Sequence, residues 1–274
     1  MSEIHPDNYS HLRNLLFERI AVNLPDDKAY LAEARLHRLA SEYARGDINA
    51  LIEMACNDPE DELRCQLVEA MAINETYFFR DPIFSESFLD YMLPTLMKSR
   101  SRERSLRIWS AACSTGQEPY SIAMLLEDRY PDLKDWDVQI IASDFSRKSL
   151  NKARSGRYSL TEMNRGLPAR FMAMYFEQDG LEWVVKKSIR DKVDFQSINL
   201  IHQWPDELPE FDIVLLRNVL LYFSLADRNL VLSKVRRQSR HDGYLLLGAA
   251  ENLEKASGFK PVQASKYGSF FKQT

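Results

Sequence analysis

Polar residues able to do chemistry stand where apolar runs of the sequence give out. Glu118 follows "RIWSAACSTGQ", Asp144 closes "VQIIASD", Asn199 and Leu200 end "VDFQSINL", and Arg217 and Asn218 end "FDIVLLRN" shortly before Tyr222. Glu118 precedes Pro119, a residue suited to opening a helix. A carboxylate there would repel a phosphate but suit an ammonium group. Asp144 is placed to accept hydrogen bonds from both hydroxyls of a ribose, or else to cap a helix beginning near Ser146. Asn199 could read an adenine edge or form a turn. Arg217, Asn218 and Tyr222 would be costly to bury without partners after so apolar a strand, so they line a wet cleft.

Gly116 can bring backbone close to a ligand, yet the three-glycine pattern of a pyrophosphate cradle is missing. An ammonium, a ribose and an adenine without phosphates describe S-adenosylmethionine better than a dinucleotide. Its carboxylate wants a cation, and Arg80 in "NETYFFRDP" (Asn74 to Pro82) offers one, with Asn74 and Thr76 as hydrogen-bonding neighbours. Phe78 or Phe79 could shield the sulfonium. Alternatively Tyr77, Phe78 and Phe79 pack as a hinge joining two cores.

These residues need a scaffold, and the periodicity supplies one. Residues 1–72 read as a helical domain: Leu12, Leu15, Leu16 and Ile20 recur at helical spacing, as do Leu36, Leu39 and Tyr43. In "NDPEDELRCQLVEAMA", Asn57 or Asp58 is expected to cap a helix with Pro59 in its first turn. Residues 73–82 form a connector. From Ser105 short apolar runs, including "LRIWSAA", "VQIIASD", "VDFQSINL", "FDIVLLR" and "GYLLLGAAE", alternate with helical stretches such as "PYSIAMLLEDR" and "LADRNLVLSKVRRQSR". That is the pattern of an α/β fold with helices on both faces of a parallel sheet. The tail "GFKPVQASKYGSFFKQ" reads as two strands around a turn. Residues 158–192 break the alternation and are expected to hold an insertion with its own small structure.

Composition narrows the function. A net charge of -4 over 274 residues gives no basic field for nucleic acid. Three cysteines without metal-ligand spacing suggest reduced thiols, a cytoplasmic location and no metal site. The N-terminus lacks the apolar core of a signal peptide, and no run is long enough to enter a membrane. Lys28, Arg35 and Arg38 are spaced to share one side of a helix, as a docking stripe for an acidic partner or as a solvated face.

"NETYFFRD", "WSAACSTGQEPYSIAM", "ASDFS", "SINL" and "RNVLLYF", in that order, resemble the CheR-type chemotaxis receptor methyltransferases. The resemblance covers nearly the whole chain. It implies a Rossmann-like class I methyltransferase sheet (residues 83–274) with an N-terminal all-helical domain that recognises the receptor and a small inserted β-subdomain. It further implies methyl transfer from S-adenosylmethionine to glutamate side chains in the cytoplasmic helical domain of methyl-accepting chemotaxis receptors. Cofactor contacts are implied at Asn74, Thr76, Arg80, Glu118, Asp144, Asn199, Leu200, Arg217 and Asn218, and Arg80 and Tyr222 stand near the transferred methyl. Lys28, Arg35 and Arg38 match the family's basic helix, whereas Ala40 and Ser41 fall where further basic residues are expected. The turn "FEQDGLE" is shorter than the peptide-gripping turn of some members. The alternative is a non-catalytic sensor of S-adenosylmethionine or its demethylated product.

Overall fold

The computed structural model describes residues 3–81, 87–253, 258–262 and 270–273. It divides into two units, Met1–Ile73 with Tyr222–Arg228, and Asn74–Leu221 with Asn229–Thr274.

The first unit contains α1 (Pro6–Ile20), α2 (Ala29–Tyr43), α3 (Ile48–Cys56) and α4 (Glu62–Met71). Pro6 opens α1, Ala21 closes it in the left-handed region, and the Asp47 carboxylate caps α3 through the N–H groups of Asn49 and Ala50. Leu12, Leu16, Leu36, Leu51 and Leu67 are fully buried. On α2 the inward residues are Ala32, Leu36 and Ala40. Leu39 is therefore only half-buried and Tyr43 exposed. Helix α4 starts later than its sequence suggests. Pro59 lies in the preceding turn, while Asp58 reaches forward to accept from Leu63 N at 2.7 Å.

The second unit is built on β1 (Ser105–Ala111), β2 (Asp137–Asp144), β6 (Val193–Ser197), β7 (Phe211–Leu216), β8 (Ser239–Leu247), β9 (Phe259–Pro261) and β10 (Phe270–Gln273). The sheet order is β6-β2-β1-β7-β8-β10-β9. The first five strands are parallel, and β10 and β9 complete the sheet antiparallel. Every residue of β7 is buried, as a central strand covered on both faces requires. The turn expected between β9 and β10, like Pro82 of the connector, lies outside the described residues. A π-helical turn (Ser87–Met92) leads into α5 (Leu93–Ser99); α6 (Gln117–Arg129), α7 (Arg147–Ser155) and α11 (Leu225–Gln238) follow β1, β2 and β7 in the chain. No helix among the described residues is long and apolar enough to cross a membrane.

Between α7 and β6 the chain forms β3 (Arg157–Ser159), α8 (Leu160–Asn164), α9 (Ala169–Tyr175), β4 (Phe176–Asp179), β5 (Glu182–Val185) and α10 (Lys187–Arg190). Its strands make a separate antiparallel sheet with β5 in the middle. Ser159 and Glu162 close a reciprocal capping box on α8.

Two boundaries differ from expectation. Helix α11 ends at Gln238, and β8 takes up the polar stretch from Ser239, whose hydroxyl donates to Val235 O. At the other end β8 stops at Leu247, and "GAAE" turns away because the Glu251 carboxylate accepts from Gly248 N at 2.8 Å.

At the N-terminal end of β7, Asp212 is fully buried and accepts from Arg100 Nε and Arg107 N, each at 2.8 Å. Arg100 also donates to Asp242 at 3.0 Å, and this hydrogen bond is the main reason the Asp242 carboxyl sits below the ordinary aspartate range. A carboxyl lowered by folding adds stability above its unfolded pKa and loses it as pH falls through the folded value. Acid titration should therefore weaken this seam below about pH 4. Asp242→Asn should show a smaller fall in Tm over that range than the parent; an equal fall would remove Asp242 from the acid response.

Candidate active site

The chain passes from β1 outward to β2 and β6, then returns across β1 to β7 and β8, so strand order reverses between β1 and β7. Open α/β sheets bind ligands beyond the carboxyl ends of strands at such a point. Ala112, Ser114 and Gly116, immediately after β1, all have positive φ. The resulting loop is tied to β2 through Cys113 N to Ser143 O and Ser114 N to Asp144 Oδ2, both at 2.8 Å. A Cβ on Gly116 would stand 2.9 Å from Ala153 Cβ and 3.1 Å from Tyr158 Oη. The close approach this glycine permits is to α7 and β3, where the sequence suggested a ligand.

Asp144 is buried, and its other oxygen accepts from Ser146 N at 2.9 Å. The cap of α7 is Ser146, which accepts from Ser149 N. Asp144 is thus a tie between two loops at adjacent strand ends, and the helix-cap alternative falls.

Glu118 is the second residue of α6. Its carboxylate accepts from Ser110 Oγ and from Arg217 Nη1, each at 2.7 Å. Arg217 follows β7, with its side chain only 3% exposed. Its Nη2 donates to Arg80 O and to Asp81 Oδ2, each at 2.8 Å. Two carboxylates thus share one guanidinium at the reversal of strand order, leaving one surplus negative charge.

The connector is fastened to the same region. Ser114 Oγ donates to Asn74 O at 2.9 Å, and Phe79 N donates to Ser121 Oγ at 3.0 Å. Phe79 and Asp81 both have positive φ, a costly conformation for such residues. The Arg80 guanidinium donates to Glu75 O at 3.0 Å and lies 5.4 Å from the centroid of the Tyr77 ring, which also carries Arg165 at 4.8 Å. Phe78 is fully buried, its ring 5.0 Å from Tyr158 and 5.5 Å from Phe176. Phe79 packs at 4.9 Å on Phe171. Phe78 is therefore a core residue, and Phe79 is half-buried against that core.

The remaining expected residues sit in local networks. Asn199 and Leu200 lie just past β6: Asn199 Oδ1 accepts from Ile201 N at 3.2 Å in a turn, and Leu200 is buried with its carbonyl accepting from Lys234 at 3.0 Å. Asn218 has φ 58° and donates its N–H to Glu251 at 2.7 Å. Thr76 is half-buried, as is Tyr222, which ends the 3-10 turn Leu220–Tyr222 and belongs to the first unit.

The basic stripe is narrower than its spacing suggests. Lys28 ends a 3-10 turn ahead of α2 and lies 5.5 Å from the Tyr30 ring centroid. Arg35 donates to Met71 O at the end of α4, at 2.5 Å, and Arg38 is exposed. Ala40 is buried, so a cation there would be desolvated.

Asp81, Ser110, Ser114 and Glu251 escaped the sequence reading. Asp81 adjoins Arg80 and could have been paired with a cation; for Glu251, placed at the end of an apolar run, the sequence holds no distinguishing signal.

Comparison with known proteins completes the description. Residues 74–268 match the family described as CheR methyltransferase, SAM binding domain. Chemotaxis protein methyltransferase 1 of Pseudomonas aeruginosa is 36% identical over 271 residues, covering 97% of each chain. Chemotaxis protein methyltransferase Cher2 of Pseudomonas putida is 36% identical over 251 residues, 90% of each chain. The Vibrio parahaemolyticus chemotaxis protein methyltransferase is 35% identical over 254 residues, 91% of this chain and 90% of that one.

Proposed function

We propose that this chain, which belongs to the CheR methyltransferase family, methylates glutamate side chains in the cytoplasmic helical domain of chemotaxis receptors. Membership makes it an S-adenosylmethionine-dependent methyltransferase. The observation that carries the reading is the Arg217 guanidinium between Glu118 and Asp81 at the reversal of strand order.

The residues present fit the cofactor. A surplus negative charge suits an ammonium, the Asp144 carboxylate is assigned to the ribose hydroxyls, and the loop after β1 lacks the glycine-rich pattern of a phosphate cradle. Asn199 and Leu200 are assigned beside the adenine, and Asn74, Thr76, Arg217 and Asn218 along the cleft. Arg80 is assigned to the cofactor carboxylate. Bound S-adenosylmethionine supplies a methyl group on a cationic sulfur.

The protein's own task is positioning. A glutamate side chain, which ordinarily titrates at about pH 4.3, is already ionised at neutral pH, so no group need remove a proton. Orientation alone can contribute on the order of 7–11 kcal/mol. Tyr222 is assigned to orienting the incoming carboxylate through a neutral hydroxyl. A direct ion pair with Arg80 would stabilise the ground state and slow the transfer. Lys28, Arg35 and Arg38 are assigned to the acidic receptor surface, with Arg38 the most available of the three.

Incubation with methyl-labelled S-adenosylmethionine and receptor-bearing membranes should give label that base releases, the mark of carboxyl esters. Tyr222→Phe should lower turnover at saturating cofactor, and Arg80→Ala should weaken cofactor binding. Uptake of S-adenosylhomocysteine without any labelling would identify a sensor.

A further inference from the structure

The loops that follow β7 and β8 are tied together by one side chain. Glu251 is 4% exposed. Its Oε2 accepts from Asn218 N at 2.7 Å and Gly248 N at 2.8 Å; its Oε1 accepts from Val219 N at 2.9 Å and Leu221 N at 3.4 Å. Four backbone amides thus converge on one carboxylate. Three belong to the turn that carries Asn218 and leads along the chain to Tyr222.

The turn needs such an acceptor. Asn218 has φ 58°, a conformation few non-glycine residues adopt without compensation. Asn218, Val219 and Leu221 are too close in sequence to satisfy one another in a strand ladder, and the Glu251 carboxylate accepts from all three. Charge-assisted bonds from an ionised carboxylate are about twice as strong as neutral ones. Gly248 is also close: a Cβ on it would come within 2.6 Å of Asn218 Nδ2 and 2.9 Å of its backbone N. Asn218 is therefore held by Glu251 and closely bounded by Gly248.

We propose that Glu251 is a positioning residue of the methyl-transfer site, fixing the turn of residues 218–221 so that Asn218 and the chain entering Tyr222 are set before ligands arrive. This rests on the roles given above to Asn218 and Tyr222. Glu251 acts through them and touches neither cofactor nor substrate.

The test uses the whole chain with two substitutions that disturb the turn by different means. Glu251→Gln keeps the shape but removes the charge and turns an NH2 group toward amides; Gly248→Ala leaves the carboxylate intact and crowds Asn218. Both should lower kcat by about ten- to hundredfold at saturating cofactor. Both should also weaken S-adenosylhomocysteine binding in calorimetry, and Glu251→Asp should restore part of each loss. Hydrogen exchange in the absence of ligand should speed up at Asn218, Val219 and Leu221 in Glu251→Gln, with Ser114 N unchanged. A fall in Tm with kcat, KM, ligand affinity and local exchange all unaltered would make Glu251 merely structural and overturn the proposal. If the parent binds S-adenosylhomocysteine but labels no receptor, the substrate reading fails; exchange and affinity still decide the case of Glu251. Should Glu251→Gln not fold, Gly248→Ala and Glu251→Asp carry the same measurements, and normal binding and turnover in both would overturn it.

Discussion

Replacing Arg217 with methionine is expected to abolish S-adenosylhomocysteine uptake and to cost about 3–5 kcal/mol of folding stability. The side chain is nearly inaccessible and donates to Glu118, Asp81 and the Arg80 carbonyl. Methionine fills comparable space but supplies no donor. Glu118, 14% exposed in its side chain, would then face Asp81 with no cation between them. The destabilisation is mostly the cost of stranded carboxylates, which is why it exceeds the net worth of the ion pairs. Lysine should rescue only part of the loss, since a single ammonium cannot reproduce the guanidinium fork. Urea unfolding and titration calorimetry check both effects. A variant within about 1 kcal/mol of the parent that still takes up ligand would show that the guanidinium organises nothing; that threshold is the value of one ordinary hydrogen bond.

The second large effect is expected at Asp144. Asp144→Asn keeps the size and one carbonyl oxygen but cannot satisfy Ser114 N and Ser146 N as an ionised group does. Bonds to charged groups contribute roughly 1.5–3 kcal/mol each. Loss of the two backbone ties together with the proposed ribose contact should weaken S-adenosylhomocysteine by about a hundredfold or more. Adenosine, which has the ribose but no amino-acid end, should lose affinity in parallel, whereas the Arg217 variant should discriminate between the two ligands. Equal affinity of Asp144→Asn and the parent for both ligands would remove Asp144 from the ribose site.

The parallel core of the sheet was legible because β1, β2 and β7 are apolar runs bounded by polar residues. The start of β8 was hidden by its polar letters "SRHD", which pair at the sheet end through a register irregularity. The acids and cations at the strand ends were legible as types but not as partners. Arg217 and Asp81 stand 136 residues apart, and no local pattern announces that a strand-end arginine will hold a connector carboxylate. The same distance effect governs the aromatics. "TYFF" is consistent with a ligand shield and with a hinge until Tyr158, Phe171 and Phe176 are seen to surround two of its rings. The basic stripe is only partly helical for a geometric reason: spacings of seven and three imply a common face only if the helix extends that far, and α2 begins after Lys28.

The packing of Phe78 and Phe79 bears on any attempt to build a minimal version of this enzyme. Residues 157–185 look excisable, since they form a sheet of their own between α7 and β6. Yet Tyr158 and Phe176 pack on the buried Phe78, and Phe171 packs on Phe79. Cutting them out would bare the Phe78 ring and strip Phe79 of its partner, so the shortened protein would lose the anchorage of the connector along with whatever the excised piece does on its own.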